Sequence, residues 1–348
     1  MAALDMFLFN RASEIASREE SYWDKLAGKC VMVTGSTGLI GSQLVRSLLS
    51  RNDLFSADIS LVLPVRNIIK ARAIFGDRPD ISFIQWSLGE DISYSSHVDY
   101  VVHAACGTSS KSFLETPATT IVEIVSGGEA VLRFANTADV CKVLFLSTME
   151  VYGEVEGIAS EDNLGKLDPM VVRNSYPEAK RLTECLCASY VKEFQVPCVV
   201  MRLAQTFGEG VHFDDMRVFA DFGRHAVQGK DIILLSDGLK CNGYLSVDDA
   251  VRAILVSLAF GVPGEAYNAV NQDSYCSIKE MAELVLKEFG KDGAQVRRDF
   301  DPLREATFRK SSDLRLDSTK LEDLGWKAKD TLVDMYRSMI DCWTADTE

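Results

Sequence analysis

The chain has 348 residues, 47% of them hydrophobic and 25% charged, enough for a substantial α/β core in one large domain or two closely packed ones. Its formal net charge of −14 argues against nucleic acid and anionic membranes as partners, because both are negatively charged. The 9 scattered cysteines form no CxxC pair and the 4 histidines are dispersed, which indicates reduced thiols in a cytoplasmic protein, without a disulfide framework or a metal site.

The N-terminal segment carries Asp5, lacks a basic stretch and soon becomes highly charged, which is not the pattern of a signal peptide. Ile15, Tyr22 and Leu26 recur at near-helical spacing. Residues 1–28 are therefore predicted to form a short helical extension packed on the domain that follows. No apolar run in the sequence reaches the length needed to cross a bilayer.

Short apolar runs alternate with helical patterns from residue 29 to residue 205. The runs are CVMVTG, ISLVLPV, ISFIQW, VDYVVHAA, KVLFLS and PCVVMRLA. Strands separated by helices are typical of βαβ units, so we predict an α/β fold with a Rossmann-type, doubly wound parallel sheet. Residues 206–348 are predicted to form mainly a smaller α/β portion, with some segments returning to the first domain.

The segment VMVTGSTGLIGSQLVRSLL predicts a strand, a tight turn and a helix, with Gly35, Gly38 and Gly41 in the turn and the helix start. Glycines let the backbone turn sharply and approach a pyrophosphate, whose charge the helix N-terminus then meets. A three-glycine match alone is weak, and a purely structural turn is the alternative. Its place between the first strand and an amphipathic helix favours dinucleotide binding.

Tyr176 and Lys180 are four residues apart on a predicted helix and therefore share one face. A tyrosine is a poor base at neutral pH because its reference pKa is about 10. An ammonium one turn away favours the phenolate and lowers that pKa, so the pair can act as a general base. A surface tyrosine and lysine on an amphipathic helix are the alternative.

The glycine loop, the STMEVYG stretch and the YxxxK pair, in this order and spacing, resemble the extended short-chain dehydrogenase/reductase family, in particular its NAD-dependent nucleotide-sugar epimerases, dehydratases and decarboxylases. HAACGTSSKSFLETP, MRLAQTFGEG and DSTKLEDLGW extend the resemblance over nearly the whole chain. It implies a Rossmann domain with a substrate domain above the nicotinamide. It also implies a homodimer built on a four-helix bundle from residues 119–137 and 176–194.

The catalytic residues that the resemblance implies are Thr148, Tyr176, Lys180 and Glu150. Thr148 would hydrogen-bond the sugar hydroxyl, Tyr176 would take its proton, and Lys180 would hold the ribose and polarise Tyr176. Hydride transfer to the nicotinamide then gives a 4-keto sugar. Glu150 is a candidate base at C5, or alternatively a cap of the following turn. Met149 stands where dehydratases carry an acid, which weakens simple 6-dehydration.

A decarboxylase needs little beyond this oxidation, because a 4-keto uronic acid is a β-keto acid. We therefore expect a UDP-glucuronate-decarboxylase-like enzyme, with a nucleotide-sugar 4-epimerase or 4,6-dehydratase as alternatives. An NADPH-dependent carbonyl reductase and a non-catalytic dinucleotide sensor are alternatives of other classes. The sensor is disfavoured because Tyr176 and Lys180 are both present.

Some positions depart from the family pattern. Gln205 replaces the usual asparagine, and Asn242 replaces an arginine that pairs with the substrate phosphate, for which Arg217 and Arg304 are candidate substitutes. Arg66 follows the second strand, where NAD-preferring members carry an acid, and an arginine there would suit the 2′-phosphate of NADP. Redox-neutral members of the family mostly retain NAD, so NAD is the expected cofactor and NADP the alternative. The residues expected to bind the cofactor, besides Tyr176 and Lys180, are Gly35, Thr37, Gly38, Leu39, Ile40, Gly41, Arg66, Ala104, Ala105 and Ser147. Those expected to bind the substrate are Thr108, Ser109, Thr148, Met149, Gln205, Arg217, Asn242 and Arg304.

Overall fold

The secondary structure comes from a computed structural model that describes residues 3–107, 110–299 and 313–346. The helices in these ranges are α1 (Ala3–Ala16), α2 (Tyr22–Leu26), α3 (Leu39–Phe55), α4 (Ile68–Phe75), α5 (Ser110–Glu115), α6 (Pro117–Ala138), α7 (Ser175–Phe194), α8 (Val218–Gln228), α9 (Val247–Phe260), α10 (Ile278–Phe289), α11 (Thr319–Glu322) and α12 (Leu332–Ala345). The strands are β1 (Cys30–Thr34), β2 (Ser60–Val65), β3 (Ile81–Gln85), β4 (Tyr100–His103), β5 (Lys142–Thr148), β6 (Ile158–Ala159), β7 (Cys198–Leu203), β8 (Gln205–Phe207), β9 (Ile232–Leu234), β10 (Cys241–Ser246), β11 (Ala266–Ala269), β12 (Asn271–Ser277), β13 (Val296–Arg298) and β14 (Arg315–Leu316). Short 3₁₀ helices cover Met149–Tyr152 and Val172–Asn174.

A 7-stranded sheet carries the fold, in the order β11-β7-β5-β4-β1-β2-β3. All of its neighbouring strands are parallel; Val31 of β1, for example, lies opposite Leu61 of β2 on one side and Tyr100 of β4 on the other. The strand order reverses beside β1, which is the point where doubly wound sheets bind their ligands. The predicted α/β fold with a doubly wound parallel sheet is confirmed.

The apolar runs form strands because both faces of the sheet are covered. Val31 and Val33 are fully buried in one hydrophobic cluster, and Met32 between them is fully buried in another. Successive side chains of a strand point to opposite faces, so an all-apolar run needs a helical layer on each side. The first cluster includes Val251 of α9, and the second includes Val131 of α6.

The N-terminal segment differs in detail from the prediction. Residues 3–26 form two helices, α1 and α2, instead of one, because the charged run Arg18–Glu20 offers no apolar face to continue the first helix. Ile15, Tyr22 and Leu26 are buried as their spacing suggested. In the described parts of the chain, no helix has both the length and the apolar character that a membrane span requires.

A second, 3-stranded sheet has the strand order β12-β10-β8. Its strand β8 begins two residues after the end of β7, which belongs to the large sheet. Tyr244 of β10 pairs with Gln205 of β8 in parallel. The later strand β11 returns to the edge of the large sheet beside β7. The division into residues 1–28, 29–205 and 206–348 as separate units stays a prediction.

Candidate active site

The glycine loop connects β1 to α3, with Gly38 as the residue that caps the N-terminus of the helix. Gly35 has a φ of +71°, and a Cβ at this position would lie 2.6 Å from backbone atoms of Ala104 at the end of β4. A Cβ at Gly41 would overlap the carbonyl group of Gly35. Both positions therefore require glycine, and the turn that results presents its backbone at the sheet's switch point.

The polar residues after β5 form a compact turn. Thr148 ends the strand, and its Oγ1 accepts a hydrogen bond of 3.2 Å from the backbone N–H of Glu150 in the following 3₁₀ helix. A hydrogen bond also joins the Thr148 side chain to the phenol of Tyr176. The hydroxyl thus both caps the turn and touches the predicted base.

Tyr176 lies at the start of α7 and is only 7% exposed. Its ring stacks on Phe113, with centroids 4.4 Å apart and planes inclined by 14°. Burial raises the pKa of the Tyr176 phenol well above its ordinary value, and the neighbouring Cys106 and Glu150 raise it further. The hydrogen bond from Thr148 lowers that pKa and offsets part of the effect.

Lys180 is held by contacts with strand β5. Its ammonium donates a 2.7 Å hydrogen bond to the carbonyl of Leu146 and lies 4.7 Å from the centroid of the Phe145 ring. Burial, with a smaller contribution from the Lys180 charge, lowers the pKa of His103 to about 3, so this histidine is neutral beside the lysine. That Lys180 lowers the pKa of Tyr176 during catalysis stays a prediction.

Glu150 has a partner that sequence reasoning missed. Arg173, in the second 3₁₀ helix, places Nη1 3.1 Å from Oε2 and Nη2 3.3 Å from Oε1 of Glu150. Its guanidinium carbon also lies 5.2 Å from the centroid of Phe113. The available signal was spacing, because Arg173 precedes Tyr176 by three residues and so lies about one helical turn before it.

A buried polar network lies behind the end of β5. The Ser147 hydroxyl donates a 2.5 Å hydrogen bond to Glu184 of α7, and Glu184 also accepts from Arg202 of β7 at 2.8 Å. Arg202 donates in turn to the hydroxyl of Tyr152 at 3.0 Å, and Tyr152 donates to Asn268 at 2.7 Å. In this structure the Ser147 hydroxyl therefore serves the network; the cofactor contact predicted for it stays a prediction.

These elements surround a cavity of about 490 Å³ at the carboxyl ends of the central strands. The predicted site residues that line it are Gly35, Gly38, Leu39, Ile40, Gly41, Ala104, Ser147, Thr148, Met149, Glu150, Tyr176, Lys180, Gln205, Arg217 and Asn242. Thr37, Arg66 and Ala105 are described but are not part of the lining, and Arg66 is exposed after β2. Thr108, Ser109 and Arg304 lie outside the described residues.

Arg217 and Lys240 are two of the cations that line the cavity. Arg217 donates to both carboxylate oxygens of Asp215, with a shortest distance of 2.6 Å, so part of its charge is already compensated. Lys240, which the sequence reasoning did not single out, lines the cavity beside Asn242 of β10. Asn242 is buried. The family carries an arginine at the position of Asn242. In this protein the positive charge near that position comes from Arg217 and Lys240.

Among known proteins, the low-salt glycan biosynthesis protein Agl12 of Haloferax volcanii is 28% identical over 339 residues, which cover 91% of this chain and 99% of the relative. UDP-glucuronic acid decarboxylase 6 of Arabidopsis thaliana is 28% identical over 303 residues, which cover 86% of this chain and 84% of the relative.

Solved structures match over most of the chain. The dTDP-glucose 4,6-dehydratase of Bacillus anthracis in complex with NAD has a TM-score of 0.73 at 20% identity, covering 91% of this chain and 96% of its own. The UDP-glucuronic acid 4-epimerase of Bacillus cereus in complex with UDP-glucuronic acid and NAD has a TM-score of 0.72 at 21% identity, covering 90% and 99%. At these identities the likeness establishes the fold. The family model described as "NAD dependent epimerase/dehydratase family" matches residues 31–269, more than half of the chain, and the protein therefore belongs to the NAD-dependent epimerase/dehydratase family.

Proposed function

We propose that the protein is an NAD-dependent nucleotide-sugar enzyme that works through a transient 4-keto sugar, and that it decarboxylates UDP-glucuronate. The observation that carries the proposal is the shared cavity, which the glycine loop, Thr148, Glu150 and Tyr176 all line. The choice of a uronate is supported by relatives named UDP-glucuronic acid decarboxylase, of which one is 28% identical over 303 residues.

The glycine loop fits the dinucleotide. The space that a Cβ would fill at Gly35 and Gly41 is taken by backbone, so the loop can bring its N–H groups close to a pyrophosphate at the N-terminus of α3. NAD, when bound, supplies the hydride acceptor for oxidation at C4 of the sugar. Arg66, the residue that favoured NADP, is exposed after β2 and is not among the described lining residues.

Side chains of the protein bind the sugar hydroxyl and accept its proton. Thr148 and Tyr176 are hydrogen-bonded to each other, so their oxygens converge on one point where a sugar hydroxyl can be held by both. Tyr176 receives the proton of that hydroxyl, and the buried Lys180 provides positive charge one turn along α7. The ring of Phe113 fixes the plane of the phenol.

The residue beside Thr148 separates decarboxylation from dehydration. Met149 lines the cavity and cannot donate a proton to a departing hydroxyl at C6. Loss of carbon dioxide from a 4-keto uronic acid needs no such acid, because the ketone accepts the electron pair of the breaking bond. Glu150 is then available to exchange a proton at C5.

UDP-glucuronate labelled at its carboxyl carbon tests this function. We expect the purified protein to release labelled carbon dioxide and to form a UDP-pentose with no net consumption of reductant. The Tyr176→Phe variant is the control for non-enzymatic release. Conversion to the C4 epimer with the label retained would instead identify a 4-epimerase, and an unchanged substrate would contradict the proposal.

Replacing Gly35 by alanine tests the dinucleotide site. Alanine at a positive φ costs about 1–2 kcal/mol, and the 2.6 Å approach to Ala104 forces the loop away from β4, so we expect NAD affinity to fall at least about tenfold. Gly28→Ala is the matched control, because Gly28 has a φ of +69° with nothing within 4 Å of a Cβ. Calorimetric titration with NAD measures both. Equal affinity losses in the two variants would contradict a pyrophosphate site at Gly35.

A homodimer built on α6 and α7 belongs to the same proposal. The two helices pack against each other, and α6 exposes Val122 while α7 exposes Leu182, apolar side chains that are 64% and 49% exposed. A nearby partner helix would cover such side chains. The dimer stays a prediction that sedimentation equilibrium can decide, and the cytoplasmic location also stays a prediction.

A further inference from the structure

Arg173 approaches Glu150 as a fork. Each of its terminal nitrogens faces a different carboxylate oxygen, at 3.1 Å and 3.3 Å. The Nη2–Oε1 contact is a hydrogen bond, whereas the Nη1–Oε2 contact is an ion-pair contact without hydrogen-bond geometry. Two contacts restrict rotation of the carboxylate more than one does. The side chains of Arg173 and Glu150 are 29% and 24% exposed, so solvent screens the pair only in part.

Phe113 connects this pair to the predicted base. The ring is 2% exposed, lies 5.2 Å from the guanidinium carbon of Arg173 and stacks on Tyr176 at 4.4 Å. A guanidinium near the face of a desolvated aromatic ring is stabilised by the ring's negative face. Arg173 is therefore fixed from two sides, by a carboxylate and by a ring that also contacts Tyr176.

The titratable groups around Tyr176 belong to several different elements. Cys106 follows β4, Glu150 follows β5, Arg173 precedes α7, and Lys180 lies one turn further along α7. Cys106 and Glu150 add to burial in raising the pKa of the phenol, whereas the positive charge of Arg173 lowers it. Glu150 thus disfavours the phenolate that the reaction needs, and Arg173 opposes that effect.

We propose that Arg173 is a positioning residue that fixes the Glu150 carboxylate in the cavity beside Tyr176 and compensates its negative charge. The inference rests on the proposed function for its kinetic consequences. Without the guanidinium, Glu150 loses this anchor and the positive charge beside it, so its negative charge acts more strongly on a phenolate at Tyr176. Arg173 then acts through Glu150, and needs no contact of its own with the reacting carbons.

Four proteins test the proposal by kinetics with UDP-glucuronate across pH: Arg173→Met, Arg173→Lys, Glu150→Gln and the double variant Arg173→Met/Glu150→Gln. We expect Arg173→Met to lower kcat by about 10–100-fold with KM changed less than about threefold, and to move the acidic limb of the profile up by about one pH unit or more. Arg173→Lys should recover part of kcat, since it keeps the charge but loses the fork.

The double variant distinguishes the routes of action. If Arg173 acts through Glu150, the double variant is no slower than Glu150→Gln alone, because the carboxylate that Arg173 controls is already neutral. Multiplied losses, or a KM that rises more than kcat falls, would show that Arg173 binds the substrate directly and would overturn the proposal. An unchanged pH profile in Arg173→Met would overturn it as well.

A readout without turnover keeps this inference separate from the proposed function. Absence of carbon dioxide release by the unmodified protein would reject the proposed function, whereas nuclear magnetic resonance of ring-labelled tyrosine still tests Arg173. With the Tyr176 signal assigned by Tyr176→Phe, we expect the phenol to titrate at higher pH in Arg173→Met and at lower pH in Glu150→Gln than in the unmodified protein. Identical titrations of Tyr176 in Arg173→Met and Glu150→Gln would overturn the charge compensation.

Discussion

Replacing Tyr176 by phenylalanine is expected to lower turnover by about 10³-fold while leaving the fold nearly unchanged. Phenylalanine keeps the ring that stacks on Phe113 at 4.4 Å, so the packing of α7 against α5 is preserved. Only the hydroxyl that is hydrogen-bonded to Thr148 disappears, and with it the group that accepts the substrate proton. The loss should therefore fall on kcat more than on KM, which steady-state kinetics with UDP-glucuronate measures.

A second tyrosine on the same helix is the control. Tyr190 donates to Glu129 at 3.3 Å on the side of α7 that faces α6, so Tyr190→Phe removes one hydroxyl at a distance from the proposed chemistry. Its turnover should stay within about twofold of the unmodified protein. Comparable turnover in Tyr176→Phe and Tyr190→Phe would reject Tyr176 as the base.

The pH dependence has a definite sign. Burial raises the pKa of Tyr176, so in the protein without cofactor the phenol is protonated at neutral pH and a larger fraction becomes phenolate as the pH rises. Activity that depends on this group should accordingly increase with pH through the neutral range. The increase should be absent from the residual activity of Tyr176→Phe.

Replacing Glu184 by leucine is expected to reduce the free energy of unfolding by about 3–5 kcal/mol. Glu184 and Arg202 are 11% and 6% exposed, and the guanidinium contacts both carboxylate oxygens, at 3.2 Å and 2.8 Å. Leucine leaves the charge of Arg202 buried without its anion and removes the acceptor of the Ser147 hydroxyl. Since natural proteins are stable by only about 5–15 kcal/mol, urea unfolding should show a much lower midpoint.

Two further proteins make this stability test specific. The double variant Glu184→Leu/Arg202→Met should recover much of the loss, because no unpaired charge stays buried. Asp91→Asn breaks the pair of Arg133 with Asp91, whose side chains are 47% and 79% exposed, and should cost less than about 1 kcal/mol. Similar losses of unfolding free energy for Glu184→Leu and Asp91→Asn would show that the buried pair of Glu184 and Arg202 matters no more for stability than an exposed pair.

The fold could be predicted from the sequence because its signals are local. Val31, Met32 and Val33 form an apolar run that only a strand covered on both faces can bury. Gly35 and Gly41 mark a turn in which a side chain would meet backbone. The strand and the turn each depend on residues within one element and its adjacent turn. Both can therefore be predicted from a short stretch of sequence.

The candidate site was predictable only in part. The YxxxK spacing indicated Tyr176 and Lys180, the resemblance to the family implied Thr148, and all three line the cavity. Spacing within a helix did not indicate which atom each side chain contacts. The Lys180 ammonium contacts the Leu146 carbonyl, a partner supplied by a strand 34 residues earlier in the chain.

Contacts between elements were decided by the tertiary structure. Glu150 meets Arg173 across 23 residues, and Ser147 meets Glu184 across 37. The sequence by itself determined the order of strands and helices, the glycine turn and the position of the tyrosine, because backbone geometry and apolar periodicity act over a few residues. Packing of α7 against the end of β5 determined which charges face each other, because the free energy of an ion pair depends on distance and burial in three dimensions and not on separation along the chain.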